Sequence, residues 1–468
     1  MKANSASRLL VIMAAVLCTL TAAANVNLPS IFSDHMVLQR NTEVPIWGFS
    51  KSSETITVQP GWTEESYSMT PGPQGTWTIM VPTPEAGGPY DITISGYSTV
   101  VLKDVLIGEV WLVSGQSNME WSASSGIPNA EQEIAGADYP EIRLFQVGNA
   151  AATSPQQLLF GNWEVCTPES MKTFSAAGYF FGRKLHQELD IPIGVINSSW
   201  GGTPAEAWTP AGRIETYPML REIADRMEVV PWGPVETARL WNGMIAPLVP
   251  FRMAGVLWYQ GEANVGHAGT YDDLLAEMVD GWRKAWGYDF PFYLAQIAPW
   301  TYGGNDQGVA LRDAQRRALH LIPNSGMIMT SDITDDVTDI HPRNKQDVGK
   351  RFADMALKYV YGAFDGEATG PLVNHVGIHD GTVRIEFSHA DGLHSREDPL
   401  PGFELAGPDR VFHPATAEID GNSVMVSSPD VAHPVAVRYA WEDTAFPQLF
   451  NSAGLPASSF RTDDWPLP

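Results

Sequence analysis

From about Val105 to Gly362 the chain alternates short apolar runs with longer amphipathic stretches, and this alternation restricts the fold more than any other feature. The apolar runs fall at residues 110–113, 142–147, 192–196, 255–259, 292–296 and 327–330, the length and uniform character of buried strands. Between them, residues 175–189, 271–286, 309–321 and 345–361 carry apolar positions at helical spacing. Strand, helix, strand in this order implies a parallel sheet covered on both faces, because a parallel pair needs a long crossover and a helix is the crossover that buries a face. Sites in such sheets form outside the carboxyl ends of the strands. Polar residues that directly follow the apolar runs are therefore where chemistry is expected.

The flanking regions have a different period. Before about Leu102, runs such as Thr55-Ile56-Thr57-Val58, Thr76-Trp77-Thr78-Ile79-Met80-Val81 and Tyr90-Asp91-Ile92-Thr93-Ile94 alternate and are punctuated by Pro and Gly, which predicts a small antiparallel sandwich. After Gly362, runs such as Val383-Arg384-Ile385-Glu386-Phe387 and Val435-Ala436-Val437-Arg438-Tyr439 return to period two. The expected fold class is thus α/β with β-rich flanks. The expected division is a leader at 1–24, an N-terminal β-sandwich domain at 25–103, a catalytic domain at 104–362 and a C-terminal β-rich domain at 363–468.

The leader reading rests on Lys2 and Arg8, the apolar run at residues 9–20, and Thr21-Ala22-Ala23-Ala24, the three parts of a secretory signal peptide cleaved after Ala24. Leu17 before Cys18 is not the small residue that a lipid-anchored cysteine requires. No later run approaches the ~20 apolar residues of a membrane span, so a secreted or periplasmic protein without a membrane partner is expected. Cleavage would leave Cys166 alone, which excludes an internal disulfide and a thiolate metal cluster, and a buried structural thiol is expected. A formal net charge of -25 argues against nucleic acid as a partner, since a phosphate backbone requires clustered cations. Sixteen Trp residues are compatible with stacking on sugars as well as with cores.

Four segments place polar groups at the ends of apolar runs. Val113-Ser114-Gly115-Gln116-Ser117-Asn118-Met119 takes a buried strand into a glycine turn that can hold a serine hydroxyl at the sheet edge. By itself such a serine is as well explained as a helix cap. Asn197-Ser198-Ser199-Trp200-Gly201-Gly202-Thr203 ends in glycines, whose bare backbone can approach a substrate oxygen. Trp258-Tyr259-Gln260-Gly261-Glu262-Ala263-Asn264 sets three polar side chains after an apolar strand, which points to a cleft. Asp339-Ile340-His341-Pro342 follows an acidic loop, and its histidine can exchange a proton with a hydroxyl.

Together these segments resemble the SGNH hydrolase superfamily, and within it the sialate O-acetylesterase-like carbohydrate esterases. The similarity also includes Ile31-Phe32-Ser33-Asp34-His35-Met36-Val37-Leu38-Gln39, Asn242-Gly243-Met244-Ile245-Ala246-Pro247-Leu248 and Ile340-His341-Pro342-Arg343-Asn344-Lys345-Gln346. The resemblance implies a three-layer α/β/α, flavodoxin-like catalytic domain, hydrolysis of acetyl esters on sugars, and no metal or organic cofactor. By position it implies Ser117 as nucleophile, His341 as general base, and an oxyanion hole from Ser117, Gly202 and Gln260. The superfamily's Asp three residues before the His is replaced here by Thr338, so the third catalytic member is open between Asp339 and Glu262. Gln116, Asn118, Asn242 and Asn264 are expected to contact substrate.

Asp391-Gly392-Leu393-His394 also has Asp-x-x-His spacing, but in a C-terminal hairpin region. The rival functions are an acetylxylan or xyloglucan acetylesterase acting on plant hemicellulose, and a non-catalytic glycan-binding protein, for which an intact Ser117 and His341 would have no use. A lipase would be expected to carry a large apolar lid segment, and none is evident. A carboxylate-bearing sugar such as sialate would favour a cationic pocket, for which Arg143, Arg213, Arg239, Arg343 and Arg351 are available.

Overall fold

The computed structural model describes residues 26–466. The expected leader and its cleavage site therefore lie outside the described residues. The central sheet is built around one 17-residue strand, β1 (Thr99–Gly115). It is joined by β2 (Tyr139–Gln146), β3 (Trp163–Cys166), β4 (Ile193–Ser199), β5 (Gly255–Tyr259), β6 (Phe292–Ala295) and β7 (Ser325–Ile328). The order across the sheet is β7-β6-β5-β1-β4-β2-β3. Neighbouring strands are parallel except β2 and β3. The apolar runs mark every parallel strand, whereas β3 has four residues and one partner, too little for a period to show.

With β4 on one side of β1 and β5 on the other, the chain leaves the sheet in opposite directions around β1, which opens a crevice at its carboxyl end. Ser199 and Tyr259 both lie level with Gly115. The segments that follow the three strands therefore emerge at one height.

Alternate side chains of β1 enter different cores, as the period of a strand requires. Val110 and Leu112 join Trp258, Phe292 and Leu294 against helices α2 (Tyr271–Trp286) and α3 (Gln307–Leu321). Trp111 and Val113 join Val195, Leu257 and Tyr293 against α1 (Ala176–Leu189) and α4 (Lys345–Ala356). Side-chain caps start two of these helices: Ser175 Oγ accepts from the Gly178 N–H at 3.1 Å, and Asn344 Oδ1 from the Asp347 N–H at 3.1 Å. The amphipathic stretch expected to run to residue 361 stays helical that far, but as a π-turn over Leu357–Tyr361.

The amino-terminal half of β1 pairs antiparallel with strand Gly87–Ser95 and parallel with strand Val37–Gln39. Another N-terminal pair, Glu43–Phe49 with Thr76–Pro82, forms a separate two-stranded sheet. Its Val44, Ile46 and Ile79 share the core that covers α2 and α3. The C-terminal strands enclose their own cluster, including Val383, Ile385, Leu405, Val437 and Phe460. This region is tied to α3 by Arg312, a fully buried side chain that donates to the carbonyls of Glu442 and Asp443 at 2.6 and 3.0 Å.

Five tryptophans, Trp77, Trp111, Trp208, Trp258 and Trp282, are among the largest fully buried side chains, so much of the indole content serves packing. Cys166 is buried and its thiol is pushed up to about 12 by that burial. No helix among the described residues is long and apolar enough to cross a membrane.

Gly115 closes β1 with φ at 135°, and a Cβ there would meet the Tyr259 carbonyl oxygen on β5. Gly115→Ala is expected to cost about 1–3 kcal/mol in backbone strain alone. Denaturant unfolding checks this, and an unchanged midpoint would contradict the strain argument.

Candidate active site

Ser117 begins the short helix Ser117–Glu120 immediately after β1. Gln116 fixes the turn, its N–H donating to the Tyr259 carbonyl at 3.0 Å while its Oε1 accepts from the Ala263 N–H at 3.2 Å. The segment after β4 packs against the serine so closely that a Cβ on Gly201 would stand 3.3 Å from Ser117 Cβ. Gly201 gives its N–H to Glu120 Oε2 at 2.7 Å. The next residue, Gly202, turns with φ at 71°. Neither Ser117 nor Gly202 gives its N–H to an acceptor among the described residues, and both line a cleft of about 910 Å³. Two unspent donors beside a hydroxyl can receive a developing oxyanion.

The loop after β7 brings His341 to the same place, with Nε2 2.9 Å from Ser117 Oγ. The indole of Trp121 lies nearly parallel to the imidazole, centroids 4.8 Å apart and planes at 21°, and so restricts its rotation. Burial holds His341 below the usual imidazole value, the Lys345 cation adds to this, and Asp339 opposes it. An imidazole that remains neutral into mildly acidic solution is the result.

Neither proposed acid reaches His341 at hydrogen-bond distance. Asp339 Oδ1 stands 3.9 Å from Nδ1, within ion-pair range, and accepts the His341 backbone N–H at 2.9 Å. Glu262 lines the cleft, but its Oε1 accepts from Asn118 Nδ2 at 2.6 Å, and no hydrogen bond or ion pair joins it to His341 among the described residues. Glu262, expected as one of two rival acids, is thus joined to Asn118 in the turn that carries Ser117 and not to His341.

Three further residues expected at the site have amide donors engaged inside the protein. Gln260, expected in the oxyanion hole, is fully buried and gives its amide to the Thr203 carbonyl at 3.2 Å and to Asn264 Oδ1 at 2.7 Å. Asn264 is buried as well, accepting from Gln260 and the Ala205 N–H and donating to Glu206 at 2.8 Å. Asn242 bonds the Ala152 carbonyl at 3.1 Å, away from the cleft lining. Of the four expected substrate contacts only Gln116 lines the cleft. His394 donates its Nδ1–H within its own hairpin, to the Gly392 carbonyl at 3.0 Å, and takes no part in the lining.

Asn118 has a different task from the one expected. It donates to Glu262 and to the Ile340 carbonyl at 3.0 Å, and its Oδ1 accepts from Lys345 Nζ at 2.6 Å. The same ammonium donates to the Pro342 carbonyl at 2.6 Å. Lys345 and Asn118 are completely buried, so the residue after Ser117 is laced to both neighbours of His341. Burial pushes Lys345 down to about 7, with Glu262 and Asp339 opposing it, and pushes Glu262 up. Sequence reading missed Lys345, Glu120 and Trp121 as parts of the site. Trp121 did carry a signal, standing one helical turn after Ser117.

With the geometry established, likeness to known proteins can be placed on it. A family model described as "Carbohydrate esterase, sialic acid-specific acetylesterase" matches residues 107–358, more than half of the chain. The chain belongs to this family of carbohydrate esterases. It is similar to the sialate O-acetylesterase of Homo sapiens, 29% identical with 93% of each chain covered, and to that of Mus musculus, 28% identical with 88% of each covered. It is also similar to the crystal structure of a carbohydrate acetylesterase from Xanthomonas citri, at TM-score 0.85 and 36% identity, covering 94% of this chain and 100% of that one. This carbohydrate esterase is accordingly an ester hydrolase, and an α/β protein with a large mixed sheet and further β-rich sheets.

Lys345→Met in this esterase should reduce kcat about 10- to 100-fold by loosening the two loops. It should also move the acid limb of the kcat/KM profile to higher pH, because removing a neighbouring cation makes imidazolium easier to form. A pH–rate series on both proteins checks this, and an unmoved limb would refute the electrostatic half of the role.

Proposed function

We propose that this protein is an exported carbohydrate O-acetylesterase working through an acetyl-enzyme on Ser117, and the 2.9 Å contact between Ser117 Oγ and His341 Nε2 carries the reading. Ser117 Oγ attacks the acetyl carbonyl as His341 takes its proton. The N–H groups of Ser117 and Gly202 hold the oxyanion. Collapse breaks the bond to the sugar oxygen, which receives the proton from His341. Water then attacks the acetyl group with His341 again as base, releasing acetate and restoring the serine. Asp339 fills the third position, holding Nδ1–H toward itself after a small side-chain adjustment, since such contacts are often long before substrate binds.

The names of the relatives, sialate O-acetylesterase and carbohydrate acetylesterase, support an acetylated sugar as substrate. The two cores on opposite faces of β1 support a three-layer α/β/α catalytic domain at 104–362 between β-rich domains at 25–103 and 363–468. A cleaved leader at 1–24 and a secreted or periplasmic location complete the reading. A purely glycan-binding protein would have no need of the Ser117–His341 pair.

Purified protein should release acetate from acetylated oligosaccharides and hydrolyse 4-nitrophenyl acetate, with Ser117→Ala and His341→Ala each reducing kcat by about 10³-fold or more. Hydrolysis that survives Ser117→Ala would end the proposal. Asp339→Asn should cost more than Glu262→Gln, whose side chain can still accept from Asn118. The reverse order in kcat would return Glu262 to the third position.

A further inference from the structure

Besides His341, the titratable side chains lining the cleft are Glu120, Arg226, Glu228, Glu262 and His267. Carboxyl groups outnumber the single guanidinium, and Arg226 Nη2 is already paired with Glu222 Oε1 at 2.6 Å, with the two side chains 74% and 61% exposed. No arginine expected to form a cationic pocket lines the cleft among the described residues. Arg143 is bonded to Asp104 at 2.8 Å, Arg213 to Glu277 at 3.1 Å and Arg351 to Asp332 at 2.6 Å, while Arg239 and Arg343 lie off the lining. A sugar carboxylate would thus meet three carboxyl groups and, among the described lining residues, one exposed guanidinium, that of Arg226, in place of the enclosed fork of donors that binds carboxylates well.

The rest of the wall suits an uncharged ring. Trp200 and Trp232 stand side by side, Trp200 Nε1 donating to the Trp232 carbonyl at 3.1 Å. Trp232 is 62% exposed and its indole lies over Gly202, where an added Cβ would collide with it. A broad apolar face with a polar edge is matched by the C–H face of a pyranose. Glu120 spends one oxygen on Gly201 beside the nucleophile, and its carboxyl retains acceptor capacity for a sugar hydroxyl. Burial pushes this carboxyl up, and an anion brought beside it would oppose its ionisation further.

We infer that the cleft selects a neutral acetylated pyranose, stacked on Trp232 and hydrogen-bonded through its hydroxyls to Glu120 and Glu228, and discriminates against sugars that carry a carboxylate. The inference rests on the esterase reading of the same site. The test compares kcat/KM for an O-acetylated neutral xylo-oligosaccharide, O-acetylated N-acetylneuraminic acid, and the methyl ester of that acid, which removes the charge and keeps the sugar. 4-Nitrophenyl acetate is run alongside. The neutral oligosaccharide should exceed the free acid by about tenfold or more, the methyl ester should be cleaved faster than the free acid, and Glu120→Gln with Glu228→Gln should narrow the gap. Trp232→Ala should raise KM for the oligosaccharide about 3- to 10-fold. Equal or better turnover of the free acid, or a methyl ester no faster than it, overturns the selectivity. No turnover of any ester, 4-nitrophenyl acetate included, overturns the esterase reading and the inference with it.

Discussion

The structure depends on the level at which three parallel strands stop. Gly115, Ser199 and Tyr259 are paired across β4, β1 and β5, so the residues that follow are delivered to one crevice without any long loop to steer them. Register in a parallel sheet is fixed over several hydrogen-bonded pairs at once, and shifting it by one residue would move every side chain to the opposite face. The alternating cores on the two sides of β1 therefore also set the height at which Ser117 and Gly202 meet.

His341 arrives by another route. His341 lies beyond the end of β7 in a loop with little regular structure, and it is fixed by side chains instead of by a ladder. Lys345, Asn118 and Glu262 form a buried polar chain that ties this loop to the turn carrying Ser117. Such chains hold a unique arrangement because each unsatisfied member would be costly. One oxygen of Glu262 has no hydrogen-bond partner among the described residues, which agrees with the upward push on its carboxyl.

The parallel strands and main helices were legible in the sequence because each has several residues at a constant period. So was the meeting of Ser117, Gly202 and His341 at one cleft, since each follows a strand end or sits in a strongly patterned segment. Gln260 and Asn264, expected at the oxyanion and the substrate, are bonded to each other instead, and the sequence had a physical reason not to show it. A polar side chain after an apolar strand announces that it needs a partner, but not whether that partner is substrate or protein, and here they satisfy each other. Lys345 escaped notice because a lysine at the start of an amphipathic helix ordinarily faces water, and only the fold reveals that this one is enclosed. The charge of the cleft was equally out of reach, since the arginines pair with carboxylates distant in sequence, such as Arg143 with Asp104 and Arg351 with Asp332.

Arg312 connects the helical part of the molecule to its C-terminal strands. Its guanidinium is completely buried, and burial pushes it down to about 10, while the carbonyls of Glu442 and Asp443 supply its acceptors. Excising the last hundred or so residues would take away both carbonyl acceptors and open to water a face of α3 that is now enclosed. The C-terminal region thus acts as the lid of a sealed compartment, and a gene fusion or truncation that treats it as an appendage would unseat the helix against which β5 and β6 are packed.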